Sequence, residues 1–194
     1  MPFVAPIVEG HGEVEALPVL LQRIARVTAV QGILRVNPPI RVKLGSFLND
    51  RDFFHRYVAL ASAKAAQESG NVLILLDCDD ACPAVLGPQL LRRAMAVRGD
   101  VGMFVALAHR EFESWFIAAI QSLRGVRGLS HDLEPPADLE RIRNAKGWLG
   151  DRMNVAYDPV THQTEFTRKI DLSQARTSVS FDRIFQYISR LSDG

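Results

Sequence analysis

The chain of 194 residues has only two cysteines, Cys78 and Cys82. They are too few for a disulfide framework or for a structural zinc site made of cysteine alone. There is no apolar run of ~18 or more residues for a membrane span, and no charged-then-apolar leader at the start. The expected protein is therefore cytoplasmic, with no membrane partner. Charge of one sign is lacking too. The net charge is +1, so any nucleic-acid partner must be met by a local basic surface rather than a bulk field. Repeats and low-complexity tracts are absent. So is a G-x-x-x-x-G-K-[ST] loop, since Gly10 and Gly12 are not followed by the lysine it requires. The rest is ordinary: 47% hydrophobic and 23% charged residues, enough for one well-buried domain with a small appended segment.

The most informative stretch is Val72-Leu73-Ile74-Leu75-Leu76-Asp77-Cys78-Asp79-Asp80. Its unbroken aliphatic run predicts a strand buried on both faces, as inside a parallel sheet. The run then ends in Asp77, Asp79 and Asp80. Like charges at a strand end repel unless a cation or basic groups sit between them. A hard divalent cation, which takes oxygen ligands, is the simplest one that would reward the cluster. From this stretch alone a second reading stays open, that Asp79 or Asp80 caps the next helix.

Phe3 to Val8 reads as a first strand. Pro6 inside it cannot donate to a ladder, which predicts an edge position, a bulge, or pairing that spares the missing amide. Glu9-Gly10-His11-Gly12-Glu13 follows, its glycines allowing a tight turn and close backbone approach. Val14, Leu17, Leu20, Leu21, Ile24 and Val27 then fall at helical spacing to about Thr28, with Pro18 expected to kink the helix or separate its first turn. Gly32 to Val42 reads as a strand or hairpin, with Ile33 to Val36 and Ile40 to Leu44 interrupted by Pro38-Pro39. Asn49 or Asp50 caps a helix with Phe53, Tyr57, Leu60, Ala61 and Lys64 on one stripe. Pro83 or Pro88 opens another, with Leu86, Leu90, Leu91, Ala94 and Met95 inward and Arg92, Arg93 and Arg98 outward. Val101 to Ala108 is a further apolar strand, leading through His109-Arg110-Glu111-Phe112-Glu113 into a helix containing Trp115, Phe116 and Ile120.

This alternation predicts an α/β fold with a mostly parallel sheet. Residues 1–125 form its core domain, and residues 126–194 a mainly helical extension packed on it. In the extension, helices are expected over Ala137 to Leu149, Thr164 to Ile170 and a C-terminal stretch whose stripe is Phe181, Ile184, Phe185, Ile188 and Leu191, with Ser178 or Ser180 as cap.

Ligands of parallel sheets bind outside the carboxyl ends of the strands. Glu9 follows the first strand, Asp77 to Asp80 the central one, and Glu111 and Glu113 the last. If these strands are neighbours, carboxylates from three places converge on one edge, the arrangement that metal-assisted phosphoryl transfer needs.

Glu9-Gly10-His11-Gly12-Glu13 after strand one, with Asp77-Cys78-Asp79 ending the central strand, resembles the Toprim signature of topoisomerases, bacterial primases and nucleases of the overcoming-lysogenization-defect type. More closely, the chain resembles a bacterial family of Toprim-like proteins, a domain of unknown function of about this length. Val8 to Glu13, Leu75 to Asp80, His109 to Trp115, Tyr157-Asp158-Pro159 through His162-Gln163, and Ser180-Phe181 carry that likeness. It implies a Toprim-like, Rossmannoid three-layer sandwich.

The resemblance further implies a nuclease that hydrolyses phosphodiesters of DNA or RNA with Mg²⁺ or Mn²⁺. Glu9 takes the place of the general base or a metal-bound carboxylate, and Asp77 and Asp79 those of direct ligands. Glu13 stands where nuclease-type domains hold a second ion, with Asp80 and Glu111 as further ligands. First-turn glutamates are also favoured by the helix dipole, which leaves a structural reading open for Glu13, Glu111 and Glu113. His11 and His109 are candidates for phosphate contact, Lys146 and Lys169 for the cation near the scissile phosphate, and Arg92, Arg93 and Arg98 for nucleic-acid backbone. Cys78 is expected to point into the core. The alternative is a non-catalytic or conditional module that acts only with a separately encoded ATPase. A phosphatase or phosphoacceptor reading fits less well, because those patterns place their aspartate pair after the first strand.

Overall fold

Side-chain alternation along the strand Asn71–Asp77 sets the layers of the fold. Val72, Ile74, Leu76 and Cys78 face one hydrophobic cluster, and Leu73 and Leu75 face the other. The computed structural model describes residues 1–28 and 32–191. In chain order, β1 (Phe3–Val8), α1 (His11–Val27), β2 (Arg35–Val36), β3 (Ile40–Arg41), α2 (Leu44–Asn49) and α3 (Arg51–Gln67) lead to β4, the strand just named. There follow α4 (Pro83–Val97), β5 (Gly102–Ala108), α5 (Ser114–Ala118), α6 (Ala145–Gly150), α7 (Pro159–Lys169), α8 (Leu172–Ala175) and α9 (Val179–Arg190). The sheet runs β2-β1-β4-β5 with β3 also on β1, and these strand pairings are all parallel. Helices flank both faces. Residues of α2, α3 and α4 fill one cluster, while those of α1, α5, α7 and α9 fill the other. This is the expected α/β three-layer architecture.

Pro6 shows how the strand accommodates a residue without an amide proton. β1 is not an edge strand. On its outer side the Val4 carbonyl accepts from Asn37 N at 2.8 Å and the Val8 carbonyl accepts from Val42 N at 2.8 Å. Pro6 lies between them, opposite the Pro38-Pro39 break that separates β2 from β3, so its missing donor falls where no ladder bond is made. The same break turns the expected hairpin into two short strands that pair with β1 and not with each other.

Several helices differ from their sequence readings. α1 continues through Pro18. α3 buries Phe54, Val58, Ala61, Ser62 and Ala65, so the buried face is turned from the Phe53–Tyr57–Leu60 stripe, and Leu60 is exposed. Asp50 caps it as expected, accepting from the Asp52 and Phe53 amides at 3.0 Å each. α4 starts at Pro83 and buries Leu90 and Ala94, but Met95 is exposed. Residues 137–149 are not one helix. A 3₁₀ turn spans Leu139–Arg141, and Asn144 then caps the short α6 by accepting from Gly147 N at 2.8 Å. α7 starts earlier than read, with Asp158 as cap and Pro159 in its first turn. No helix of the described residues is long and apolar enough to cross a membrane.

The tightest helix contact is between α1 and α7. A Cβ at Gly12 would lie 2.3 Å from Gln163 Oε1 and 2.6 Å from the Pro159 carbonyl, so only glycine lets α7 start here. Gly12→Ala is therefore expected to cost about 1–3 kcal/mol, as overpacking does. Gly45→Ala, on exposed helix with nothing within 4 Å, should gain roughly 0.5–1 kcal/mol. Urea midpoints of the two variants moving in the same direction would contradict this packing.

Candidate functional site

Glu9 lies just past β1, Asp77 ends β4, and Glu111 and Glu113 follow β5. Because β1, β4 and β5 are neighbours in the sheet, these carboxylates share one rim. The chain also goes to opposite sides of β1 here, through α1 to β2 and through α3 to β4, so this rim is a topological switch point.

Alternation places Asp77 on the same face as Leu73 and Leu75, beneath α1. There it is buried, and its Oδ1 accepts from Phe112 N at 2.8 Å. Glu13 is also buried, in the first turn of α1. Its carboxylate folds back to accept from Gly10 N at 2.8 Å, half of a capping box whose other half a glycine cannot supply. A Cβ on Gly10 would come within 2.4 Å of Glu13 Oε1. Both glycines of the Glu9–Glu13 turn are thus fixed by close approach, one to this carboxylate and one to α7.

Lys146, on α6, enters the cluster from the C-terminal third. Its Nζ lies 3.4 Å from Asp77 Oδ2, 3.3 Å from Glu111 Oε1 and 3.5 Å from Glu113 Oε2. Its backbone amide donates to Glu111 Oε2 at 3.0 Å. Glu113 is fully buried, and its Oε1 accepts from Tyr157 Oη and Gln163 Nε2, each at 2.8 Å. Two buried oxygens, Glu9 Oε2 and Glu113 Oε2, have no hydrogen-bond donor. For the latter, the 3.5 Å approach of Lys146 is an ion pair without hydrogen-bond geometry.

Burial raises the pKa of Glu9, and the charges of Glu13 and Asp79 raise it further. Burial does the same to Glu13, helped by Glu113 and opposed by the Gly10 amide. Asp77 is pushed well above the usual carboxylate range, first by burial and then by Glu13. Burial works against the charge of Lys146, but Glu113, Asp77 and Glu111 outweigh it and hold the ammonium above an ordinary lysine. The Tyr157 phenol is driven up by burial and by Glu113, so it remains a donor.

The structure therefore brings together Glu9, Glu13, Asp77 and Glu111. Asp79 is exposed, close enough to Glu9 to raise its pKa. Asp80 is drawn away, with its Oδ1 held by Arg110 and Arg143. Of the two candidate lysines, Lys146 sits in the cluster, while Lys169 is exposed at the C-terminal end of α7. His11 is exposed, and Cys78 is buried in the core with Arg110 N donating to its Sγ at 3.2 Å. Arg92 is exposed, Arg93 packs over the Phe54 ring, and Arg98 pairs with Asp100. Sequence reasoning underrated Glu113 and missed the roles of Tyr157 and Gln163. A glutamate between Phe112 and Trp115-Phe116 was the available signal, since a carboxylate in an aromatic run must find buried partners.

The donor set suits a hard divalent cation: it is made of carboxylate oxygens, of which those of Glu9, Glu13 and Asp77 are raised in pKa by burial and neighbouring charge, and one on Glu9 has no donor. No group of three or more His, Cys, Asp or Glu among the described residues is arranged to hold a metal ion. The carboxylates close around the Lys146 ammonium instead. A separate cavity of about 660 Å³ runs along the free edge of β5 between α4 and α9. It touches His109 and Ser114 but none of the clustered carboxylates, so the chemistry is located by charge rather than by volume.

Raised carboxyl pKa values fix a sign for stability. Between the ordinary carboxylate range and the raised folded values, the folded chain holds protons that the unfolded chain has released, so stability falls as pH rises through that window. The Lys146 contribution is present throughout and is lost only in strong alkali. The urea midpoint should rise as the buffer goes from about pH 8 to about pH 5, and Asp77→Asn should flatten that slope. Parallel slopes in the two proteins would show that Asp77 is not a source of the effect.

No curated protein and no solved structure matches the chain. Residues 8–189 match the model of a family described as a domain of unknown function, DUF4276. The match begins at the last residue of β1, one position before Glu9, and includes every clustered carboxylate together with Lys146, Tyr157 and Gln163. The chain belongs to the DUF4276 family.

Proposed function

We propose that this protein is a divalent-metal-dependent nuclease of Toprim type, hydrolysing phosphodiesters of DNA or RNA. One observation carries the reading. Carboxylates that follow three neighbouring parallel strands meet at the switch point of the sheet, and burial raises the pKa of Glu9, Glu13 and Asp77 there, so a cation relieves their mutual repulsion. Glu9, Asp77 and Asp79 would hold Mg²⁺ or Mn²⁺, with Glu13 and Glu111 positioned for a second ion. A metal held by these residues would supply polarisation of a phosphate oxygen and a lowered pKa for water.

The chain's own residues do the rest. Phe112 N fixes one oxygen of Asp77 and leaves the other toward the cluster. Gly10 N orients Glu13. Tyr157 and Gln163 clamp Glu113, which in turn steers Lys146. Lys146 is the cation placed to meet charge developing on the leaving oxygen. Burial raises the pKa of Glu9 and one of its oxygens has no donor, so Glu9 serves as a metal-bound carboxylate or as the general base.

A second reading is favoured by the same lysine. The place a metal would take is closed by the chain's own ammonium, as expected of a module held inactive until a partner, such as a separate ATPase, shifts α6.

Incubation with supercoiled, linear and single-stranded nucleic acid, with and without Mg²⁺ or Mn²⁺, tests both readings. Metal-dependent cleavage is expected, with a loss of about 100-fold or more in Asp79→Ala, whose exposed side chain can be removed without disturbing the core. The metal should also raise the melting temperature of the wild type, by about 2.7 kcal/mol of added stability at a hundred times its Kd, and not that of the variant. A metal-stabilised protein inert on every substrate would move the conclusion to the conditional module. Absence of any metal effect on either readout rules out the site.

A further inference from the structure

Asp80 Oδ1 accepts from Arg110 Nη1 at 2.6 Å and from Arg143 Nη1 at 3.0 Å. Two guanidinium groups thus converge on a single carboxylate oxygen in the way they would converge on a phosphate oxygen. Asp80 is 75% exposed and Arg143 73%, so the pair is made at the surface, whereas the Arg110 side chain is only 18% exposed. Arg110 is also fixed along its length. Its backbone is left-handed at φ 61°, a conformation with a cost of roughly 1–2 kcal/mol for a residue with a Cβ. Its amide donates to Cys78 Sγ, its carbonyl accepts from Asp79 N at 3.1 Å, and its Nε reaches the Glu140 carbonyl at 3.4 Å.

Surface ion pairs contribute little to stability, and a strained backbone is a poor way to build one. The location matters more. Arg110 precedes Glu111, and Arg143 is three residues before Lys146, so this cationic pair borders the acidic cluster. A polyanion approaching desolvated carboxylates is repelled unless the rim carries positive charge.

We propose that Arg110 and Arg143 form a phosphate site at the rim of the cluster, which takes a backbone phosphate of a nucleic acid. Asp80 occupies that site in the free protein as an internal stand-in for the anion. The inference rests on the nuclease reading for its ligand and names the side from which the substrate strand enters. It also assigns Asp80 to the phosphate site and not to the metal.

Asp80 and the arginines then have opposite effects on binding. Fluorescence anisotropy of a labelled single-stranded oligonucleotide, in EDTA to keep the metal site empty, reads them separately. Arg143→Ala is expected to weaken binding several-fold and to reduce the slope of log affinity against log salt by about 1. Asp80→Asn is expected to tighten binding several-fold by freeing both guanidinium groups. Inorganic phosphate and a mononucleotide serve as competitors, and displacement by either at concentrations comparable to the oligonucleotide would reassign the site to a free phosphate compound. If Asp80→Asn binds more weakly than wild type, or if both variants bind as wild type does, the proposal fails. Cleavage with Mn²⁺ that is insensitive to Arg143→Ala would remove the phosphate site and leave the nuclease reading intact. Arginine-dependent binding without cleavage would do the reverse.

Discussion

The ammonium of Lys146 is the constraint on which the rest of the rim depends. A parallel sheet has no choice about where its carboxyl ends go, and this sequence puts an acidic residue at three of them in a row. Buried carboxylates without a cation would be driven to protonate or to open the structure. Lys146 answers this for Asp77, Glu111 and Glu113 at once, from α6, a short helix anchored in the core by Ala145, Leu149 and the half-buried Trp148. The cluster thereby places α6 as much as α6 neutralises the cluster. Any cation that replaced the ammonium would loosen that helix as well, and this ties occupancy of the site to the position of the C-terminal third.

That third is structurally part of the site. Gln163 and Pro159 begin α7 against the backbone of Gly12, and Tyr157 and Gln163 hold Glu113. α9 reaches back to β5 through Ser180, whose Oγ accepts from Trp115 Nε1 at 2.8 Å and from His109 N at 3.2 Å. The strand ends are therefore set from both directions, by the sheet beneath and by helices distant in sequence. Glycine at position 12 is needed because two distant elements meet there, not because a turn requires it.

What was legible in the sequence follows from this division. The chemistry-bearing strands are legible as continuous apolar runs with acidic residues at or shortly after their ends, because burial on both faces leaves an unmistakable composition, whereas their being neighbours is given by the sheet itself. Helix N-termini with a strong local signal, Asp50 and Pro83, were legible too. The stripe of α3 is displaced by one residue from the expected one, because Phe53-Phe54, Tyr57-Val58 and Leu60-Ala61 are adjacent apolar pairs and hydrophobicity does not choose between adjacent faces. Residues 137–149 look helical in composition but are divided by the Asn144 cap, a local competition between side chain and backbone that composition does not register. Lys146 stands in the sequence as one of two candidate lysines, since nothing near it in the chain says which carboxylates it will meet. Glu113 is ambiguous in the sequence because a first-turn glutamate has an ordinary explanation, while its aromatic neighbours carry the contrary signal.

The acidic strand end shows most directly why spacing alone misleads. Asp77, Asp79 and Asp80 lie within four positions, yet their environments have little in common. Asp77 continues the strand and is turned by its two-residue period under α1, into desolvation. Asp79 leaves the strand in a left-handed conformation, φ 45°, with its amide on the Arg110 carbonyl, and stays in water beside Glu9. Asp80, one residue beyond that reversal, is taken by arginines. The backbone bond between Asp79 and Arg110 joins two left-handed residues at the ends of neighbouring strands. It divides the rim into an acidic interior and a basic margin. A row of carboxylates at a strand end is thus not one ligand set. The sheet face and the left-handed turn decide which of them meets a cation and which meets arginine.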